Sequence, residues 1–186
     1  MEQQRHFFFA AFIPDEMKTV MNAHCEQLKE VLPFRSWVYH EDFHITLAFL
    51  GAASSDRLQK AIDNVGKVTK NVEPFPLQIT NLGIFGKKDE PRVLWAGMKE
   101  SSALQSIQTN VYSSCLEAGF ELETRPFRPH MTMARKWVGE EPFQQQFLEK
   151  WAEIQPEPLE FNVQQIALFK THLNKLPKYQ AIRMFT

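Results

Sequence analysis

Residues 43–51 have the sequence FHITLAFLG, in which apolar and polar residues alternate at the start. Its apolar side chains at positions 43, 45, 47 and 49 follow the two-residue period of a β-strand that buries one face. On such a strand His44 and Thr46 share the opposite face, and Gly51 closes the strand. The stretch therefore predicts a strand that presents an imidazole and a hydroxyl side by side.

A second stretch, later in the chain, has the same pattern. Residues 129–135 have the sequence PHMTMAR, in which two methionines alternate with His130 and Thr132. On a strand, the methionines point into the core while His130 and Thr132 share the other face. A single His-x-Thr is common on strands and indicates little, whereas two copies in matching patterns indicate a functional site.

The spacing of the two copies indicates an internal repeat. Each follows the order strand, helix, strand, and His44 comes 36 residues after Phe8 just as His130 comes 36 residues after Leu94. A chain of 186 residues is also of ordinary size for one domain. We therefore expect residues 1–186 to form a single domain of two pseudo-symmetric lobes, whose His-x-Thr strands converge on one groove.

Strand and helix signals alternate through the rest of the chain. Further strands are predicted at residues 6–12, 75–79 or 75–85, 93–98, 161–169 and 179–185, with a short edge piece at 37–39. The polar residues 86–91 separate two of these strands, as the turn of a hairpin does. Asp15 is predicted to cap the first helix and Ser54 or Ser55 the second, a third helix is predicted to start near Ser101, and a last helical stretch is predicted around 143–151.

Composition excludes several classes of protein. With 44% hydrophobic and 23% charged residues the chain is globular, and a net charge of −1 gives it no overall basic field for a long nucleic-acid duplex. The apolar run at residues 7–13 is far shorter than the roughly 20 residues of a membrane span, and its flanks do not fit a secretory signal. We expect a cytoplasmic protein in which Cys25 and Cys115 are reduced core residues.

The paired histidines suit acid and base catalysis on a small anion. With ordinary pKa values of about 6.5, one imidazole can be neutral and act as base while the other is protonated and acts as acid. The hydroxyls of Thr46 and Thr132 can hold phosphate oxygens. His40 and His44 have the spacing of a zinc pair, but they straddle a turn and a strand, and no other histidines have such a spacing, so we expect catalysis without a metal.

These motifs resemble the 2H phosphoesterase superfamily, and within it the RNA 2',3'-cyclic phosphodiesterases once named 2'-5' RNA ligases. Both signature tetrads are present, as HITL at residues 44–47 and HMTM at residues 130–133, where the final methionine replaces a more usual leucine. The resemblance covers nearly the whole chain, through residues 5–14, 43–51, 91–97, 125–135 and 161–179.

The resemblance implies both a fold and a reaction. The fold is a bilobal α+β module in which two antiparallel sheets line a central groove and the helices pack outside. The reaction opens a terminal 2',3'-cyclic phosphate on RNA to a 2'-phosphate without cofactor, metal or ATP, with a weak reverse 2'-5' ligation. In this scheme His44 protonates the leaving ribose O3' and His130 orients or activates water.

Arg135 matches a family arginine that contacts the phosphate, but strict alternation would turn its side chain away from the histidines. Therefore we expect a strand end or a bulge to reorient it. Two other functions remain open. The same residues suit a phosphodiesterase for 2',5'-linked oligonucleotides or small cyclic nucleotides, and the groove suits a noncatalytic module that binds RNA ends. We expect a monomer, because no long amphipathic or coiled-coil segment is present.

Overall fold

Nine strands and four α-helices make up the computed structural model, which describes residues 5–186. The strands are β1 His6–Phe12, β2 Phe34–Trp37, β3 His44–Ala52, β4 Phe75–Gly86, β5 Pro91–Met98, β6 His130–Trp137, β7 Leu159–Val163, β8 Ile166–Thr171 and β9 Tyr179–Phe185. The α-helices are α1 Asp15–Lys29, α2 Ser55–Thr69, α3 Ser102–Glu117 and α4 Lys150–Ile154. Two 3₁₀ turns, His40–Asp42 and Gln145–Glu149, complete the regular structure.

The strands form two antiparallel sheets, which confirms the predicted α+β architecture. The four-stranded sheet has the order β3-β1-β8-β9, and the five-stranded sheet has the order β2-β6-β5-β4-β7. In each sheet the His-x-Thr strand pairs with the strand that precedes it by one helix, β3 with β1 and β6 with β5. Strands β3 and β6 contact each other, so the two motifs come from different sheets and lie where these sheets meet.

A continuous hydrophobic core joins both sheets to the helices. It includes Phe9 and Ile45 from one sheet, Leu94 and Met131 from the other, and Val111 from α3, all with almost no exposed surface. Burial of side chains of this size contributes about 1.5–3 kcal/mol each relative to leaving them in water. Both free cysteines lie in this core, as expected, and burial raises the pKa of each thiol to about 12.

Two of the three predicted helix starts are confirmed. The Ser54 hydroxyl accepts a hydrogen bond from the Arg57 amide, and the Ser101 hydroxyl accepts one from the Leu104 amide. The prediction for the first helix is wrong, because Pro14 occupies the cap position without a side-chain bond and Asp15 is the first helical residue. There its carboxylate still interacts favourably with the positive end of the helix dipole.

Near the C-terminus the structure differs from the prediction in two places. The predicted strand at residues 161–169 is two strands, because β7 pairs with β4 in the five-stranded sheet whereas β8 pairs with β1 in the other. The two residues between them carry the chain from one sheet to the other. The predicted helical stretch at 143–151 is a 3₁₀ turn at Gln145–Glu149 followed by the short helix α4. None of the helices within residues 5–186 is long and apolar enough to cross a membrane.

Candidate active site

Each His-x-Thr strand contains a β-bulge directly after its threonine. Along β1, Phe9 pairs with Ala48 and Ala10 pairs with Thr46, so Leu47 is the extra residue of β3. Along β5, Leu94 pairs with Ala134 and Trp95 pairs with Thr132, so Met133 is the extra residue of β6. Because a bulge inserts one unpaired residue, it reverses the alternation of all residues that follow it.

The bulge in β6 turns Arg135 toward the groove. Met133 and Ala134 are both buried, and the next residue, Arg135, is exposed on the face that carries His130 and Thr132. Arg135 lines the same cavity as His44 and Thr132. Lys136 then adopts a left-handed backbone conformation with φ 61°, which interrupts the regular strand one residue before it ends at Trp137. The bulge that was predicted to reorient the Arg135 side chain is therefore present.

The equivalent bulge in β3 overturns one prediction. Alternation placed Phe49 in the core, but Leu47 and Ala48 are both buried and Phe49 is 52% exposed. Its ring lies 6.5 Å from that of Phe8 and 5.7 Å from that of His6, measured between ring centres. Phe49 therefore occupies in β3 the place that Arg135 occupies in β6.

Main-chain carbonyls orient both imidazoles in the same way. His44 Nδ1 lies 2.7 Å from the carbonyl oxygen of Asp42, and His130 Nδ1 lies 2.7 Å from that of Arg128. A carbonyl oxygen only accepts, so Nδ1 carries the proton and donates it in each bond. The free lone pair of each neutral ring is consequently on Nε2, which is the nitrogen available to a substrate.

The two imidazoles have different surroundings. His44 lies among buried aromatic rings of the four-stranded sheet, with centre distances of 4.7 Å to Phe8 and 5.1 Å to Tyr179. The ring of His130 packs edge-on against the half-buried Phe85 at 4.9 Å and lies 6.1 Å from Trp95. The His44 side of the site is thus more closely packed than the His130 side.

Glycine allows the aromatic ring beside His130 to lie close to the sheet. A Cβ atom added at Gly83 would overlap the indole of Trp95, and one at Gly97 would come within 2.9 Å of it. Gly97 is on β5, the strand that contains Trp95, and Gly83 is on the neighbouring strand β4. Their lack of a side chain therefore makes room for the indole on the face of the five-stranded sheet.

Burial lowers the pKa of both histidines. Desolvation lowers the pKa of His44 from 6.5 to about 4, against the opposing effect of its hydrogen bond to Asp42. The charges of His130, Arg135 and Lys18 lower it further. Desolvation also lowers the pKa of His130, with smaller contributions from the charges of Arg135 and Arg128. At neutral pH these shifts favour the neutral form of both rings in the free protein.

The low pKa of His44 predicts a loss of stability in acid. Between pH 6.5 and about 4 the unfolded chain binds a proton at this residue and the folded protein does not, so falling pH favours unfolding. Across this pH window, the free energy of unfolding of the wild type should fall by up to about 3 kcal/mol more than that of His44→Gln. Urea titrations at several pH values measure the difference, and parallel curves for the two proteins contradict it.

A cavity of about 300 Å³ lies at the junction of the two sheets. His44, Thr132 and Arg135 are among its lining residues, whereas His130 and Thr46 stand on the same strand faces outside its walls. A larger cavity of about 620 Å³, between β4 and α4, contains none of the predicted site residues. Within residues 5–186, no three His, Cys, Asp or Glu side chains lie together as a metal site requires.

Asp42 is a site residue that the sequence analysis missed. It is only 3% exposed, and its carboxylate accepts hydrogen bonds from the amides of Lys178 at 2.9 Å and Tyr179 at 3.0 Å. Its own carbonyl is the acceptor of the His44 bond. Hydrogen bonds to a charged group contribute about 1.5–3 kcal/mol each, so this residue fixes the start of β9 against the turn that precedes His44.

Tyr179 and Lys18 were also missed, because each comes from a segment distant in sequence from the two motifs. Tyr179 lines the cavity, and burial raises its pKa while the charge of Arg135 opposes the rise. The ammonium of Lys18 is buried above the ring of Phe12 at 4.4 Å and donates to the carbonyl of Glu41 at 3.2 Å. No short sequence pattern signals these long-range contacts.

Comparison with known proteins gives one consistent result. The family model described as the 2'-5' RNA ligase superfamily matches residues 12–175. A protein of Bacillus subtilis named RNA 2',3'-cyclic phosphodiesterase is 32% identical over 97% of this chain and 95% of its own length. One of the same name from Geobacillus stearothermophilus is 39% identical over 98% of this chain, which spans 57% of that relative's length.

A solved structure has the same fold. The crystal structure of E. coli LigT complexed with 3'-AMP superimposes with a TM-score of 0.76 and covers 98% of both chains, at 21% sequence identity. Together with the family match over most of the sequence and the similarity to the Bacillus protein, the assignment is clear. This chain belongs to the 2'-5' RNA ligase superfamily.

Proposed function

We propose that this protein hydrolyses the 2',3'-cyclic phosphate at the end of an RNA to a 2'-phosphomonoester. The observation that carries the proposal is the pair of imidazoles on facing strands, each held through Nδ1 so that Nε2 is free. The names of the two Bacillaceae relatives agree with it. A module that only bound phosphate would not need two oriented imidazoles, which favours an enzyme over a binding protein.

Catalysis is an in-line displacement at phosphorus. A water oxygen bonds to the phosphorus as the bond to the ribose O3' breaks, and the phosphate stays on O2'. His130 Nε2 takes a proton from the water, and His44 Nε2, once protonated, delivers one to O3'. The same steps with the 5'-hydroxyl of a second RNA in place of water join the two RNAs through a 2'-5' phosphodiester, which is a weak ligation.

Substrate binding allows the acid to take up, from solvent, the proton that it needs. Because burial lowers the pKa of both rings, His44 has no proton to donate in the free protein at neutral pH. A phosphodiester anion placed between the rings favours the imidazolium form and raises these pKa values. The acid therefore becomes charged only with its substrate in place, when the proton has an acceptor.

Three polar side chains hold the phosphate in this scheme. The hydroxyls of Thr46 and Thr132 donate to non-bridging oxygens, and the guanidinium of Arg135 balances charge that develops there. The position of Arg135 in the same cavity as His44 and Thr132 supports its part in the scheme. Each threonine shares a strand face with its histidine, which keeps the donor close to the reacting centre.

The proposal extends to the whole molecule. Residues 1–186 act as one domain of two pseudo-symmetric lobes, and the continuous core that joins both sheets supports this. The protein works as a cytoplasmic monomer on RNA or oligonucleotide ends and needs no cofactor, metal or partner protein. Its substrates carry the phosphate on a terminal ribose, which the groove between the sheets can admit.

One assay tests the proposed reaction. Purified protein is incubated with an oligoribonucleotide ending in 2',3'-cyclic phosphate, in EDTA and without ATP, and the position of the product phosphate is determined by phosphorus NMR. We expect a 2'-phosphate. Tight binding without turnover would instead identify a module that binds RNA ends, and turnover only after addition of a divalent cation would overturn the two-histidine mechanism.

A further inference from the structure

The side chain of Tyr179 lies in the groove beside His44. Tyr179 is the first residue of β9, and its ring is nearly perpendicular to two neighbouring rings, with centre distances of 5.1 Å to His44 and 5.0 Å to Phe8. Edge-to-face contacts of this kind are favourable and fix the direction of a ring. Tyr179 also lines the cavity that contains His44, Thr132 and Arg135. A phenol is therefore held at the proposed reaction site, where the mechanism described above gives it no part.

The main chain that carries this phenol is fixed by Asp42. The carboxylate of Asp42 accepts a hydrogen bond from the Tyr179 amide at 3.0 Å, and its main-chain carbonyl accepts the bond from His44 Nδ1 at 2.7 Å. Asp42 is buried, so water competes little for either bond. One residue thus sets the positions of the imidazole and the phenol relative to each other. Donors that are fixed before the substrate arrives need no reorganisation during the reaction.

The hydroxyl of Tyr179 meets Arg135 where the two sheets come together. Tyr179 belongs to the four-stranded sheet and Arg135 to the five-stranded sheet. Burial raises the pKa of Tyr179, whereas the charge of Arg135 and a hydrogen bond from its guanidinium act in the opposite direction. Because a guanidinium can only donate, the Tyr179 oxygen accepts this bond and its own proton remains for another acceptor.

The remaining proton of the Tyr179 hydroxyl suits an anionic acceptor. The raised pKa keeps this hydroxyl protonated at neutral pH, so it is an uncharged donor. A donor next to the cation of Arg135 is an arrangement that stabilises phosphate oxygens. Packing alone does not account for the hydroxyl, because the contacts with His44 and Phe8 are made by the ring.

We propose that the hydroxyl of Tyr179 is a further ligand of the cyclic phosphate, which donates to a non-bridging oxygen while it accepts from Arg135. The inference rests on the proposed function, which places the phosphate between the two imidazoles. With this contact, each sheet supplies two phosphate ligands. Thr46 and Tyr179 come from the four-stranded sheet, and Thr132 and Arg135 come from the five-stranded sheet.

Removal of the hydroxyl alone tests the contact. Tyr179→Phe keeps the ring that packs on His44 and Phe8 and removes the donor. We expect kcat/KM for adenosine 2',3'-cyclic phosphate to fall about 10- to 100-fold, the usual effect of one hydrogen bond to a charged group. Tyr39→Phe is the matched control and should match the wild type, because Tyr39 lines the same cavity and loses the same atom. Equal rates for the wild type and Tyr179→Phe, or equal losses in the two variants, overturn the inference.

Sulfur substitution in the substrate identifies the oxygen that Tyr179 binds. The two diastereomers of adenosine 2',3'-cyclic phosphorothioate each have sulfur, a weak hydrogen-bond acceptor, in place of one non-bridging oxygen. For one diastereomer, the losses from sulfur and from Tyr179→Phe should not multiply, because both changes remove the same bond. For the other diastereomer the two losses should multiply. Multiplication for both diastereomers would show that the phenol acts only on the structure of the site, and would overturn the inference.

The pH dependence of the reaction separates contact with the phosphate from an effect on the imidazole. Loss of a phosphate donor should lower kcat/KM by about the same factor throughout the pH range of activity. Recovery of full activity by Tyr179→Phe at a shifted pH would show instead that Tyr179 only adjusts the pKa of His44. That result would also overturn the inference.

Calorimetry keeps the contact testable if the wild type does not hydrolyse the substrate. That outcome would refute the proposed reaction but not the phosphate contact. Adenosine 2'-monophosphate should then still bind the wild type, and Tyr179→Phe should weaken its affinity about 10-fold or more while Tyr39→Phe leaves it unchanged. Equal affinities of the wild type and Tyr179→Phe, or no binding to the wild type, would reject the contact itself.

Discussion

Replacement of His44 or His130 by alanine should lower the rate of cyclic phosphate hydrolysis about 10²- to 10⁴-fold in each case, the usual contribution of a positioned acid or base. The two losses arise from different proton transfers in one step. Steady-state kinetics on an oligonucleotide ending in 2',3'-cyclic phosphate measure them, and the double variant should lose less than the product of the two factors, because residues that act as a unit are not additive.

His172→Ala provides the control for loss of an imidazole. His172 lies between β8 and β9, where its Nε2 lies 2.8 Å from the Gln180 side-chain oxygen. It has no part in the proposed mechanism. This variant should keep normal activity. Circular dichroism should show the same fold for all variants, since His44 and His130 are first residues of their strands and not part of the main core. Near-normal turnover by either single histidine variant would refute the mechanism.

Replacement of Arg135 by methionine should lower kcat/KM about 10²- to 10³-fold, the cost of removing one donor from developing negative charge. Methionine keeps much of the length of the side chain and removes the cation. Arg135→Lys should recover part of the loss, because an ammonium supplies charge without the two-pronged geometry of a guanidinium. The same assay measures both variants.

Lys136→Met separates a specific role of Arg135 from a general effect of positive charge. Lys136 is the next residue and is also exposed. Its own backbone has the left-handed conformation that interrupts the strand. Its replacement should leave kcat/KM unchanged. If Lys136→Met and Arg135→Met lose activity equally, the arginine acts only through the overall charge of the groove.

Much of the fold could be predicted from local pattern. The alternation through residues 43–47 and 130–133, the helix starts at Ser54 and Ser101, and the hairpin between β4 and β5 depend on neighbouring residues, and the structure confirms them. The division of residues 161–169 between two sheets could not be predicted in this way. Strand pairing with β4 or β1 decides it, and those partners are distant in sequence.

The candidate site was predictable to a similar extent. Two His-x-Thr patterns located the two imidazoles that main-chain carbonyls orient, and the conflict over Arg135 correctly required a bulge. The matching bulge in β3 gave no such signal, because an apolar Phe49 fits a buried face in the sequence, and its exposure was therefore not expected. Asp42 and Tyr179 act through contacts between segments more than 130 residues apart, which no local pattern records.

The difference between Phe49 and Arg135 bears on the direction in which a ligand lies in the groove. A groove with perfect twofold symmetry would accept an asymmetric ligand in two opposite and equivalent orientations, and half of the encounters would be unproductive. Here the two bulges place a phenyl ring on one strand and a guanidinium at the corresponding place on the other. An anionic ligand therefore has unequal energies in the two orientations, and a single polarity is selected.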